Sequence, residues 1–130
     1  MSAMSNYLES ALLNATLRNT SYTSPSAVYV GLFTSDPTDA GTGTELSGSS
    51  YARQSATFAS PHATNGTCQI SGDITFPTAT GTWGTITHVG IFDASSSGNL
   101  LFHGSLSASK TIASGDVLKV PASDLTITLA

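Results

Sequence analysis

The feature that most constrains the fold of this chain is a change of hydrophobic period near residue 27. Before it, Asn6–Arg18 places apolar residues at helical spacing, which predicts one amphipathic helix. After it, apolar and polar residues alternate in short segments separated by clusters of Gly, Pro, Asp and Ser, a pattern typical of strands joined by turns. Because no second segment is suited to a helical crossover, parallel strands are disfavoured. The sequence therefore predicts an antiparallel β structure preceded by one helix.

The strand pattern also predicts where the strands lie and which of them are neighbours. The predicted strands are Ala27–Thr34, Tyr51–Phe58, Thr67–Phe76, Thr85–Asp93, Asn99–Leu106, Lys110–Ala113, Val117–Val120 and Asp124–Leu129. The first is apolar on both faces and is expected to be central. Ser71-Gly72-Asp73 predicts a hairpin turn or a bulge inside the third, the fourth and fifth form a hairpin, and the sixth and seventh form a short pair. We predict a single domain over 1–130, with a helix at 6–18 and an antiparallel β-sandwich of jelly-roll or Greek-key type at 27–130.

The predicted helix has a recognisable start and a wide apolar face. Asn6 and Glu9 have the spacing of a capping box. Leu8, Ala11, Leu12 and Ala15 form the apolar stripe. Leu13 and Leu17 lie beside it and widen it, so we expect the helix to bury a broad face against a sheet or a neighbouring subunit.

Composition excludes several classes of function. The single cysteine, Cys68, permits neither an intrachain disulfide nor a structural zinc site. Only 9% of the 130 residues are charged and the net charge is −4. The four basic residues are scattered at Arg18, Arg53, Lys110 and Lys119. Because they form no cluster to neutralise phosphates, we expect no binding to nucleic acid or to anionic membranes. Without an apolar segment of membrane-spanning length or a signal-peptide pattern, the chain is expected to be made in the cytosol and to stay soluble there.

A long polar loop at 35–50 is the most conspicuous candidate for a site. It carries Asp36, Asp39 and Glu45, and three carboxylates are the kind of ligand that calcium prefers. The spacing is not that of an EF-hand, however, and Asp36-Pro37 together with the glycines of the loop is typical of turns. We therefore interpret the segment as an arm that contacts other proteins.

The remaining reactive residue types have ordinary structural explanations. Of the three histidines, His62, His88 and His103, the last two fall on the two strands of the predicted hairpin, and two imidazoles without a third ligand indicate a metal site only weakly. Cys68 alternates with Ile70, as a buried thiol would. Trp83 is either a sugar-stacking platform or, as we favour, part of the core. The chain lacks a nucleophile elbow and a phosphate-binding loop, so we predict no enzyme activity, no cofactor and no metal site.

Five blocks of the sequence, in order, resemble a family of small bacteriophage virion proteins that are commonly labelled tail fibre or tail proteins. The blocks are YLESALLN at 7–14, AVYVGLFTSDPTDAGTGTE at 27–45, SYARQ at 50–54, TFPTATGTWGTITHVGIFD at 75–93 and GNLLFHGSL at 98–106. The resemblance implies a non-enzymatic structural component located in the virion. It carries over no catalytic residues.

Two structural roles are compatible with this resemblance. The chain has no repetitive or heptad-bearing shaft, and a small β bead with an inert hydroxyl surface is similar to capsid decoration (cement) proteins. We therefore expect a homotrimeric decoration protein bound to the major capsid protein. The alternative is a tail fibre or tail-tip module that binds tail proteins or a host receptor, with Trp83 and Tyr51 as contacts. A small depolymerase is a third and weaker hypothesis. For the contact surface we predict Asp36, Asp39, Tyr51 and Arg53.

Overall fold

A computed structural model describes residues 3–61 and 64–129 and confirms a mainly β, antiparallel, sandwich-like fold with one α-helix at its start. The helix α1 spans Asn6–Leu17. The strands are β1 (Ala3–Met4), β2 (Val28–Phe33), β3 (Gln54–Ala56), β4 (Thr67–Gln69), β5 (Ile74–Thr75), β6 (Gly84–Phe92), β7 (Leu100–Ile112), β8 (Lys119–Val120) and β9 (Thr126–Thr128), with a short 3₁₀ helix at Ala122–Asp124.

One five-stranded antiparallel sheet organises the molecule, in the order β1-β7-β6-β2-β3. The predicted central position of β2 is confirmed, since it pairs with β3 and β6, and so is the β6–β7 hairpin. Two small antiparallel pairs, β4–β9 and β5–β8, complete the strands. The main core consists of Val30, Leu32, Ile70, Ile74, Phe76, Ala79, Trp83, Ile86, Ile91, Ile112 and Ile127. The opposite face of the sheet carries a second cluster of Phe33, Phe92 and Leu100.

The helix forms where it is predicted, but its cap is one residue earlier. The Ser5 side chain, which is buried, accepts a hydrogen bond from the Leu8 amide and donates one to the Leu100 carbonyl. Ser5 is therefore the N-cap, and the capping box predicted for Asn6 is wrong, because Ser5 is the residue anchored to the sheet edge. Leu8 is buried, whereas Leu13 and Leu17 are exposed in the single chain. No helix within the described part of the chain has the length and apolarity needed to cross a bilayer.

The structure corrects the predicted strand partners in two places. Of the two alternatives for Ser71-Gly72-Asp73, the hairpin is wrong, because β4 and β5 each pair with a strand from the end of the chain. Lys110–Ala113 does not pair with Val117–Val120 either: β7 extends to Ile112 and pairs with β6 on both sides of a register shift, and β8 pairs with β5. Alternation tells which residues face the core, but it does not tell which strand lies alongside.

Candidate interaction surface

The four predicted contact residues belong to the loop 35–50 and to the residues that directly follow it. Asp36 and Asp39 are exposed, with 59% and 51% of their side chains accessible. Arg53 is turned inward, with 8% of its side chain accessible, and Tyr51 is half-buried. The structure thus divides the predicted set into two exposed carboxylates and two inward-facing side chains.

The return half of the loop runs beside β2 and continues the sheet for a short distance. Glu45 forms an antiparallel bridge with Phe33, and the Leu46 amide donates to the Leu32 carbonyl over 3.0 Å. This arrangement carries the Glu45 carboxylate over Gly31. A Cβ atom at Gly31 would lie 2.8 Å from Glu45 Oε2, so only glycine leaves room for the carboxylate. The loop is therefore seated on the sheet and is not a free arm.

Glu45 and Arg53 form the principal ion pair of this surface. The Arg53 Nε and Nη2 atoms each donate to one Glu45 carboxylate oxygen over 2.8 Å. Its Nη1 donates to the carbonyls of Ala94 and Ser97, and the guanidinium lies 3.5 Å from the centre of the Phe92 ring. Such a two-pronged, stacked contact uses the planar geometry that distinguishes arginine from lysine. Arg53 thus joins the loop to the tip of the β6–β7 hairpin.

The Tyr51 side chain provides a hydrogen-bond acceptor for the edge of β2 at a position that β3 does not pair with. Its hydroxyl accepts a hydrogen bond from the Leu32 amide over 2.9 Å and donates one to Glu45 Oε2 over 2.7 Å. Burial, followed by the hydrogen bond to Glu45, raises the pKa of the Tyr51 phenol well above its usual value. The strand predicted at Tyr51–Phe58 is therefore shorter in the structure, where β3 spans Gln54–Ala56. At its start, the Tyr51 side chain, and not its backbone, bonds to β2.

Asp39 and His103 form a second link between the loop and the sheet. The His103 ring is buried and its Nε2 lies 2.7 Å from Asp39 Oδ1, while Asp36 Oδ1 lies 3.8 Å from Nδ1. The Asp39 carbonyl accepts a hydrogen bond from the Asn6 amide over 2.9 Å. This part of the loop therefore holds the start of α1 as well as β7. Asp36 also accepts a hydrogen bond from the Thr38 amide, as expected of a turn residue.

The calcium hypothesis receives no support from these positions. Glu45 is engaged by Arg53 and Tyr51, whereas Asp36 and Asp39 face His103. Among the described residues, no three or more His, Cys, Asp or Glu side chains are grouped so as to hold a metal ion. Sequence reasoning did not include Glu45 in the contact set, and nothing in its local sequence indicates that Arg53 is its partner.

The other candidate residues occupy separate places. Trp83 is 6% exposed and its indole Nε1 donates to the Ser49 carbonyl, so the core interpretation is confirmed and the platform interpretation is wrong. His88 makes a hydrogen bond with the neighbouring Thr87. Cys68 is half-buried, not fully buried, and its thiol donates to the Ala59 carbonyl. His62 lies outside the described residues.

Comparison with known proteins identifies a family relationship. The family model described as "Podophage GP4 fiber I protein gp80" matches residues 3–128. No curated protein matches the chain. The match supports a structural, virion-associated protein of the fibre type, and it favours the tail fibre alternative of the sequence analysis over the capsid decoration protein.

Proposed function

Since the chain belongs to the family of the podophage GP4 fiber I protein gp80, we propose that it is a non-enzymatic subunit of the tail fibre apparatus that acts by binding other virion proteins. The family match over 3–128 is the observation that carries this proposal. The match covers the helix, the long loop and the described strands, so we assign the role to the fold as a whole and not to one segment of it.

The engagement of the ionisable side chains supports binding over chemistry. Glu45, Arg53 and Tyr51 hold one another and the sheet edge, and His103 holds Asp39. Side chains used in this way keep a loop in one conformation. A loop that is already ordered loses little conformational freedom when a partner binds.

The exposed part of the loop is the surface that we assign to a partner protein. Asp36 and Asp39 project from a seated loop, next to the fully buried Pro37. Tyr51 and Arg53 belong to the same unit, but they act from beneath by fixing the shape of the loop. The partner is expected to present donors or basic groups to the two carboxylates.

The proposal is tested by locating and counting the protein in purified virions. A fibre subunit should be labelled by antibody-coupled gold at the tail, and quantitative mass spectrometry should give a small copy number per virion. Labelling over the whole head with hundreds of copies would instead establish a decoration protein. Deletion of the gene should leave filled heads whose tails lack this protein.

The contact surface is tested by complementation of that deletion. Asp36→Asn keeps the acceptor for the Thr38 amide and removes only the charge, so a loss of incorporation into virions would assign Asp36 to the contact. Asp116→Asn is the matched control, because Asp116 is exposed, lies outside the loop and likewise accepts a hydrogen bond from a nearby amide, that of Ala113. Equal incorporation of both variants would remove Asp36 from the surface. Binding of the purified protein to host cells would point to the receptor-binding role instead.

A further inference from the structure

Two apolar features of the single chain are left without a partner by the residues that the structure describes. The first is a ridge on α1, formed by Glu9, Leu13 and Leu17, which we call the helix ridge. These residues are four apart and therefore lie in one row along the helix. Leu13 is 57% exposed and Leu17 is 77% exposed, so the two leucines form a continuous exposed apolar row. The inner face of the helix, by contrast, is anchored through buried Leu8.

The second feature is a groove beside the outer edge of β7, which we call the β7 groove. It has a volume of about 460 Å³. Its walls include Leu106 on β7 and Val120 and Leu125 opposite, and its floor reaches the fully buried Val30 and Leu32. Leu106, Val120 and Leu125 are only partly buried, so apolar surface remains accessible in the groove.

The groove is open because β7 lacks a neighbour there. β1 pairs only with Phe102 and His103, and no strand in 3–61 or 64–129 pairs with the outer edge of β7 beyond them. On the edge of β7 that faces β6, the register shifts between Ile86 and His88. The β7 residues 106–109 therefore have only Thr87 opposite them. A shift of this kind bends a strand and interrupts its ladder.

One charge on each feature can be matched across them. Lys110 and Asp124 line the β7 groove and are exposed, and Glu9 is exposed at the first turn of α1. Within the described residues none of these three side chains forms an ion pair. Lys119, the other lysine of the groove, is paired with Asp73 over 3.1 Å. Lys110 is therefore the groove cation available to a carboxylate from another molecule.

We propose that the helix ridge of one copy docks into the β7 groove of a second copy. Leu13 and Leu17 enter the apolar part of the groove, and Glu9 approaches Lys110. Glu9 and Leu17 are about 12 Å apart along the helix axis at 1.5 Å per residue, so the charged and apolar contacts are made by about two turns of helix. This is the helix-in-groove mode of recognition, and it buries both features at once.

This contact joins two different surfaces, so each copy keeps one ridge and one groove free for further copies. Such a heterologous contact closes into a ring when the rotation between copies permits it, and otherwise extends as an open chain. A rotation of one third of a turn would give the homotrimer expected from the sequence. The inference rests on the proposed fibre role, in which copies of the chain are held together in an assembly.

The test is self-association of the purified full chain, measured by sedimentation and light scattering over a range of concentrations. The wild-type protein should associate. Glu9→Lys and Lys110→Glu should each weaken association by about tenfold or more, because each places like charges in contact. Combining both changes in one chain should restore association, and mixing the two single variants should restore contacts between unlike copies. Arg18→Glu is the matched charge reversal: Arg18 is exposed at the end of α1 and is rotated by about 140° from Leu13 around the helix axis, so this variant should associate like the wild type.

A second mixing experiment separates this contact from a symmetric one. Leu13→Ser with Leu17→Ser removes the ridge, and Lys110→Glu disables the groove. Each variant alone should be monomeric, and a mixture should stop at a 1:1 dimer, since one intact ridge meets one intact groove. These positions are exposed, so circular dichroism should show unchanged folding.

Three results would overturn the inference. They are a wild-type protein that stays monomeric at the highest concentration at which it is soluble, association that the ridge variant does not weaken, and a mixture of the two disabled variants that remains monomeric. A monomeric protein that is nevertheless found at the phage tail would reject this contact and leave the proposed fibre role standing. Absence from the tail would reject the fibre role whatever the solution state.

Discussion

The guanidinium of Arg53 donates two parallel hydrogen bonds of 2.8 Å to the carboxylate of Glu45, which lies eight positions earlier in the sequence. Both side chains are largely withdrawn from solvent, at 8% and 23% accessibility. The pair holds the long loop on the sheet, and the stability of the loop therefore depends on it.

Removal of the cation should strongly destabilise the protein. Arg53→Ala leaves the Glu45 carboxylate without its partner and two carbonyls without their donor, and we expect the free energy of unfolding to fall by about 3 kcal/mol. Urea unfolding followed by circular dichroism measures this change. Arg18→Ala is the control, because Arg18 is exposed, and it should change stability by no more than about 0.5 kcal/mol. Equal stability of the two variants would show that the ion pair contributes nothing.

Gly31 should not tolerate a methyl group. In Gly31→Ala the new Cβ would lie 2.8 Å from Glu45 Oε2 and 3.0 Å from the Phe92 ring, so the ion pair or the ring must move. We expect a loss of about 1 to 3 kcal/mol in unfolding free energy. Gly72→Ala, where nothing lies within 4 Å of the new atom, is the matched control. A Gly31→Ala protein as stable as Gly72→Ala would mean that the loop is not seated as described.

Alkaline pH should weaken the fold through Tyr51. Its phenol has a raised pKa in the folded protein, so the stability it contributes is present below the usual phenol pKa of 10.0 and declines as the pH rises above that value. Urea midpoints measured from about pH 8 to pH 11 should show this decline. Tyr51→Phe should flatten it while costing about 1 to 2 kcal/mol at neutral pH, because the Leu32 amide loses its acceptor. Tyr7→Phe, on the exposed side of α1, should keep the wild-type decline; if it flattens the curve equally, Tyr51 is not the cause.

Asp39 should matter more to the loop than Asp36 does. Asp39→Ala leaves the buried His103 Nε2 without its close partner, which should cost about 1 to 2 kcal/mol and increase hydrogen exchange in 36–44. In Asp36→Asn the side chain still accepts from the Thr38 amide and the longer 3.8 Å contact to His103 is all that changes, so the effect should be small. A reversed order of the two variants would place the anchor at Asp36.

The elements of this fold were predictable where the signal is local. The helix at Asn6 and the hairpin of β6 and β7 follow from periodicity and turn residues within a few positions of one another. The burial of Trp83 likewise follows from its place beside a strand. The partners of β4, β5 and β8 were not predictable, because each lies far along the chain and alternation carries no information about it.

By itself, then, the sequence determined the class of fold and the central strand, since period and propensity act on neighbouring residues. Only the tertiary structure decided that Arg53 and Tyr51 face inward while Asp36 and Asp39 stay exposed, and that Leu13 and Leu17 remain uncovered in the single chain. The physical reason is that the burial and the pairing of a charged or apolar side chain depend on which other groups pack against it. In this molecule those groups arrive from distant strands or, as we propose for the helix ridge, from another copy.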